Sequence, residues 1–117
     1  MKASRTYRSM MEKRTPIVVA CTGHAIAQGA AYLMSADVRV GAAGDFRMGL
    51  KETQIDMVLR RFGPTLAKAR LNRRFWMRAA VLGEVFDPET AIAVEYLDSV
   101  VSPEALLETA MEKAAQL

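Results

Sequence analysis

An α/β domain of few strands flanked by many helices is what this sequence predicts, and three observations predict it. A short apolar run rich in β-branched residues, Ile17-Val18-Val19-Ala20-Cys21, and the alternating Val38-Arg39-Val40 have the length and pattern of strands. Helical spacing or helix-start residues appear at Gly29 to Ala36, from Thr65 onward, and behind Asp87-Pro88 and Ser102-Pro103. The two kinds of segment are interleaved along one chain, as α/β architecture requires. The chain has 117 residues, enough for one domain; 51% are apolar and 25% charged, a balance that fits a folded globular core rather than a disordered tail or a membrane protein.

The elements follow in order. Residues 2–14 read as a leading amphipathic helix because Ala3, Tyr7, Met10 and Met11 share one helical face; their Arg-rich composition also permits a transit peptide, the weaker reading. Pro16 punctuates, and Ile17 to Cys21 then forms a nearly continuous apolar strand that expects partners on both edges. After a turn at Thr22-Gly23 and a loop of small residues, Gly29 to Ala36 forms a helix whose start suits close backbone packing, and Asp37 closes it. Val38-Arg39-Val40 is the next strand, Gly41, Gly44 and Asp45 mark a turn, and Phe46-Arg47-Met48 is a second extended piece.

From Thr65 the pattern turns helical, with Leu66, Ala69 and Ala80 as inward candidates and a break near Asn72; Phe75 and Trp76 read as core. Asp87 and Ser102 each cap a helix that opens with Pro and then Glu. Ser99-Val100-Val101 is a last short strand, and the final helix carries Leu107, Ala110, Met111, Ala114 and Leu117 along one stripe. Three or four strands give a small sheet. The expected division is a leading helix at 2–14, a β/α part at 16–60 and a helical part at 64–117.

Charge and rare residues narrow the chemistry. Residues 1–78 carry fifteen Lys and Arg against five acids, and residues 79–117 carry one Lys against eight acids. The acid-free run Arg60, Arg61, Lys68, Arg70, Arg73, Arg74 and Arg78 asks for an anionic partner or for acids elsewhere. No nucleic-acid signature accompanies it, and no apolar run is long enough to cross a bilayer. Cys21, the one cysteine, sits in an apolar run with no base beside it and reads as a buried core thiol in a reducing cytoplasm. His24 reads as a solvated loop residue, and no Cys/His cluster, nucleotide-type glycine loop or nucleophile elbow occurs, so neither a metal nor a separate cofactor is expected.

Two stretches remain, PIVVACTGHAIAQGAAYLMSADVRVGA and DFRMGLKETQID. Together with FDPETA and LDSVVSPEALLETA in the tail, they resemble the crotonase superfamily, the enoyl-CoA hydratases and isomerases, from about Tyr7 to Leu117. The resemblance implies a ClpP/crotonase spiral fold, of which this chain corresponds to the second half. It implies an acyl-CoA thioester as substrate, with coenzyme A entering only as part of that substrate. It also implies assembly into a trimer or hexamer, or completion by another chain.

GLKETQ is more similar to the Δ3,Δ2-enoyl-CoA isomerase branch than to the hydratases. By resemblance Glu52 is the carboxylate that takes a proton from beside the thioester carbonyl and returns it two carbons away, and the backbone N–H of Gln28 is one donor to the enolate oxygen. Ala27, Gly29, Ala31 and Leu50 line the acyl site on the same basis. Ala31 stands where the hydratases carry a second glutamate, which favours isomerisation over hydration. Gln28 and Asp56 stand where the family usually has glycine; Asp56 adds a carboxylate that would raise the Glu52 pKa if it faced inward. A catalytically inactive acyl-CoA-binding or scaffold module is the alternative, and for Glu52 alone the simplest reading is a charge at a helix mouth.

Overall fold

The computed structural model describes residues 9, 12, 15–26, 28–50 and 69–117. In chain order its regular elements are strand β1 (Val18–Cys21), strand β2 (Ala25–Ile26), helix α1 (Gln28–Ser35), strand β3 (Val38–Ala42), strand β4 (Met48–Gly49), a 3-10 turn (Arg73–Phe75), a π-helical turn (Met77–Val81), strand β5 (Val85–Phe86), helix α2 (Pro88–Val94), strand β6 (Ser99–Val101), a second 3-10 turn (Pro103–Ala105) and helix α3 (Leu106–Ala115). The leading helix lies outside the described residues except for Ser9 and Glu12, both helical. Leu66 and the expected helix start at Thr65 lie outside them as well.

The strands form two sheets. In the first, β3 is central and both neighbours are parallel to it, with Val18 opposite Val38 on one side and Val40 opposite Ser99 on the other. In the second, β2 runs parallel to β4 and β5 antiparallel to it. Among the described residues the strands number six, against the three or four expected. The additional ones, β2 and β5, are two residues long, too short to leave a periodic signature. Among the described residues β1 pairs with β3 alone, so the partner expected on its other edge is not found there.

Alternation along β3 divides the core. Val40 and Ala42 pack on Leu106 of α3, with Ala20 and Val101 beside them. On the other face a larger cluster gathers Leu33 and Met34 of α1 with Met48, Leu50, Phe86 and Leu97. Gly41, expected in a turn, lies inside β3. A Cβ there would stand 2.5 Å from Leu97 Cδ1, so the glycine admits a leucine side chain against the strand. Arg39, on the same strand, is buried beside the half-exposed Asp98 carboxylate at 3.7 Å.

Two caps were expected, and one forms. The Asp87 carboxylate accepts the Thr90 N–H at 2.7 Å, and hydrogen bonds from the Thr90 side chain and backbone hold its pKa below the usual range. Ser102 makes no side-chain cap, and the chain after it first winds into a 3-10 turn. Helix α2 ends with Glu95 in the left-handed region (φ 76°), and Tyr96 N–H donates to Ala91 O at 2.9 Å in a Schellman arrangement.

The break near Asn72 is present: its side chain accepts the Arg74 N–H at 3.0 Å, and π-type bonding follows, with Leu82 N–H donating to Met77 O. Ala69 is exposed rather than inward, and in this stretch the fully buried alanine is Ala79, with Ala80 half-buried. On α3 the buried line is Leu106 and Ala110. Leu107 (70% exposed) and Met111 (64%) of the expected stripe face outward. Among the described residues no helix is long and apolar enough to cross a membrane.

Gly49, the first residue of GLKETQ, has a steric reason. A Cβ there would meet Glu84 O at 2.6 Å and Val85 Cα at 2.8 Å, both backbone atoms of the paired strand region that cannot rotate away. Gly49→Ala is therefore expected to force β4 from β5 and to cost about 2–3 kcal/mol, read as a lowered midpoint in urea unfolding.

Candidate functional site

Strands β2 and β4, with helix α1 packed on them, mark the place where the two quoted stretches meet. Ala25 pairs with Met48 and Ile26 with Gly49, in parallel. This pairing brings the chain two residues before Gln28 beside the chain three residues before Glu52. Helix α1 packs on both strands through Ala30 and Ala31, each fully buried, and small side chains there let its backbone approach the sheet. Gln28 is the first residue of α1, so its N–H belongs to a first turn whose donors have no acceptor within the helix.

Two further bonds fix this junction. Ala25 N–H donates to Arg47 O at 3.0 Å, and Arg47 N–H donates to His24 Nδ1 at 3.0 Å. The His24 and Phe46 rings meet perpendicularly (89°) with centroids 5.5 Å apart. His24 is exposed, as a loop histidine should be, but it is engaged with the backbone. Sequence reasoning missed this partnership, because 23 residues separate the pair and no spacing rule connects them.

Of the residues expected at the acyl site, Glu52, Ala27 and Asp56 lie outside the described residues. Ala31 and Leu50 are brought together in the main cluster, both fully buried in the chain as it stands. Gly29 is half-buried, and a Cβ on it would meet Ala25 Cβ at 3.6 Å, an ordinary contact. The chain's own packing therefore does not require glycine at 29.

Cys21 is buried, its Sγ donates to Gly23 O at 3.2 Å, and burial pushes the thiol pKa up against a smaller opposing effect of that bond. That is the opposite of what a nucleophile needs. Among the described residues no three His, Cys, Asp or Glu side chains are placed to hold a metal ion.

The basic run is partly accounted for within the chain. Arg78 forms a two-pronged ion pair with Glu84 (2.8 and 2.7 Å) and lies over the Phe75 and Phe86 rings at 5.3 and 5.4 Å. The hydrogen-bonded Arg78 guanidinium holds the Glu84 carboxyl below its usual range. Arg73 lies 6.0 Å over the Trp76 ring, whose Nε1 donates to Leu71 O. Arg60, Arg61 and Lys68 lie outside the described residues.

The comparisons with known proteins agree on a family. The model of the enoyl-CoA hydratase/isomerase family matches residues 1–117. A crystal structure of an enoyl-CoA hydratase/isomerase family protein from Pseudomonas syringae superposes with a TM-score of 0.91 at 46% identity, covering 98% of this chain and 50% of that one. An enoyl-CoA isomerase of Mycobacterium tuberculosis gives 0.81 at 35% identity, with 97% and 50% covered. The fatty acid oxidation complex subunit alpha of Colwellia psychrerythraea is 33% identical over 109 residues, 90% of this chain and 14% of that subunit. The chain thus spans about half the length of these solved relatives and a smaller share of the curated one.

Proposed function

Because this chain belongs to the enoyl-CoA hydratase/isomerase family, we propose that it serves an acyl-CoA isomerase site in which Glu52 moves a proton and the Gln28 N–H holds the enolate. Glu52 takes a proton from the carbon beside the thioester carbonyl of a 3-enoyl-CoA. The electron pair delocalises onto the thioester oxygen and across the double bond, and the protonated Glu52 returns the proton two carbons farther on. The product is the conjugated 2-enoyl thioester, with no atom gained or lost. A preorganised donor to the enolate oxygen is worth about 3 kcal/mol in comparable sites. The second donor comes, on this reading, from a part of the fold beyond these residues.

The observation that carries the reading is the parallel pairing of β2 with β4, which fastens the two stretches leading to Gln28 and Glu52 side by side. Isomerisation is favoured over hydration because Ala31 offers a buried methyl where hydration needs a second carboxylate. The outward Leu107 and Met111 of α3 support assembly of several copies, since exposed apolar residues on one helix face are covered in an oligomer.

The test is conversion of a 3-enoyl-CoA, followed by absorbance of the conjugated product, for the wild type and Gly29→Ala. The wild type is expected to turn over. Gly29→Ala should lose about tenfold in kcat/KM, because the added methyl occupies space kept for the thioester, while its thermal unfolding stays level or rises with the better helix former. Acyl-CoA binding without turnover would replace this reading with the inactive binding module.

A further inference from the structure

We propose that His24 is a positioning residue whose neutral imidazole fastens the segment entering α1 to the segment leading to Glu52, and that protonating it opens this fastening. The inference rests on the roles given above to Gln28 and Glu52. Its own basis is the pair of bonds at Arg47, whose carbonyl accepts from Ala25 and whose N–H donates to His24 Nδ1, both at 3.0 Å. Residues 24 and 25 thereby take up both backbone groups of Arg47, and the imidazole adds a rung to a ladder only two residue pairs long.

A neutral imidazole has one acceptor nitrogen and an imidazolium has none. With Nδ1 accepting, the single proton sits on Nε2. A second proton would land on Nδ1, facing the Arg47 N–H, and the bond would become a contact between two donors. His24 is exposed, so solvent protons reach it directly.

Among the described residues the Arg47 guanidinium is 3.1 Å from Asp45, and it also acts on the Asp87 carboxylate. The Phe46 ring meets the imidazole edge-on at 5.5 Å between centroids. Imidazoles as a class change charge between about pH 5 and 8, the range over which the fastening is tested below. Displacing a reacting group by about 1 Å can cost about a hundredfold in rate. Loosening this rung moves the Gln28 amide relative to β4 and should lower kcat more than it changes KM.

The experiment follows the full chain by NMR and by turnover across that pH range, for the wild type, His24→Asn and His24→Ala. In the wild type the imidazole nitrogen shifts should show Nδ1 unprotonated in the neutral ring, and the Arg47 and Gln28 amide signals should move with the imidazole titration. His24→Asn keeps an oxygen acceptor near the place of Nδ1 but cannot titrate. It should retain turnover, lose the pH dependence of both amides and lose that part of the acid limb in kcat which follows the imidazole. His24→Ala should lower kcat about ten- to a hundredfold at every pH.

Amides indifferent to the imidazole titration, or an acid limb unchanged in His24→Asn, would overturn the inference. The NMR readout needs no turnover. Amides that track the imidazole in a chain inert toward every enoyl-CoA would uphold the fastening and remove the reaction, whereas turnover with indifferent amides would do the reverse.

Discussion

Asp98→Ala is expected to destabilise the protein by about 3 kcal/mol, a loss of roughly a hundredfold in the folding equilibrium. The side chain has two tasks. Its Oδ2 accepts the Arg39 N–H at 2.7 Å, while Asp98 N–H donates to Arg39 O at 2.8 Å, so the residue ties the start of β6 to β3. The same carboxylate stands 3.7 Å from Arg39 Nε, an ion-pair distance too long for a hydrogen bond. Burial depresses the Arg39 guanidinium pKa, and Asp98 is the main opposing influence.

Arg39 is 6% exposed, and its Nε and Nη1 already lack hydrogen-bond partners, so removing the carboxylate leaves a buried cation with less compensation still. Breaking a buried pair usually costs about 3–5 kcal/mol; the lower end applies because the Asp98 side chain is 46% exposed and water can enter in its place. Two companion variants separate the causes. Asp98→Asn keeps an acceptor for the Arg39 N–H and loses only the charge, so it should cost less. Arg39→Met removes the buried cation itself and should be close to neutral. Urea unfolding orders the three, and an Asp98→Ala midpoint equal to wild type would show that the pair contributes nothing.

Much of this fold was legible because single residues settle it locally. Val18 to Cys21 is short and apolar and Val38-Arg39-Val40 alternates, and both patterns fit a strand. Asp87 before Pro88 supplies a capping acceptor and a residue already fixed for a first turn. What escaped the sequence depends on partners distant along the chain. Strands β2 and β5 exist because β4 lies between them, and two residues have no period to detect.

Gly41 read as a turn because its neighbours did not reveal that Leu97 would lie against it. Leu107 and Met111 fall on one stripe with Ala110, but hydrophobicity alone does not say which side of α3 faces β3, and Leu106 with Ala110 takes that side. The site divides in the same way. The two stretches and their adjacency could be foreseen from resemblance, whereas the His24–Arg47 bond required the coordinates, since an imidazole declares no partner in sequence.

Glu52→Gln carries the largest expected effect on activity, a fall in kcat of about a hundred- to ten-thousand-fold. The amide keeps the size of the carboxylate and an acceptor oxygen, so the loss isolates basicity. If the carboxylate acts only in proton transfer, KM and acyl-CoA affinity should hardly change, because an interaction confined to the transition state appears in kcat alone. Exchange of the proton beside the thioester carbonyl with deuterated solvent should disappear together with isomerisation, since both begin with the same removal. A charge at a helix mouth predicts the converse, a stability loss of at most about 1 kcal/mol and unchanged turnover. Kinetics and urea unfolding on one preparation therefore assign Glu52 to one role or the other, and a variant that isomerises at the wild-type rate would leave the enolate chemistry without a base.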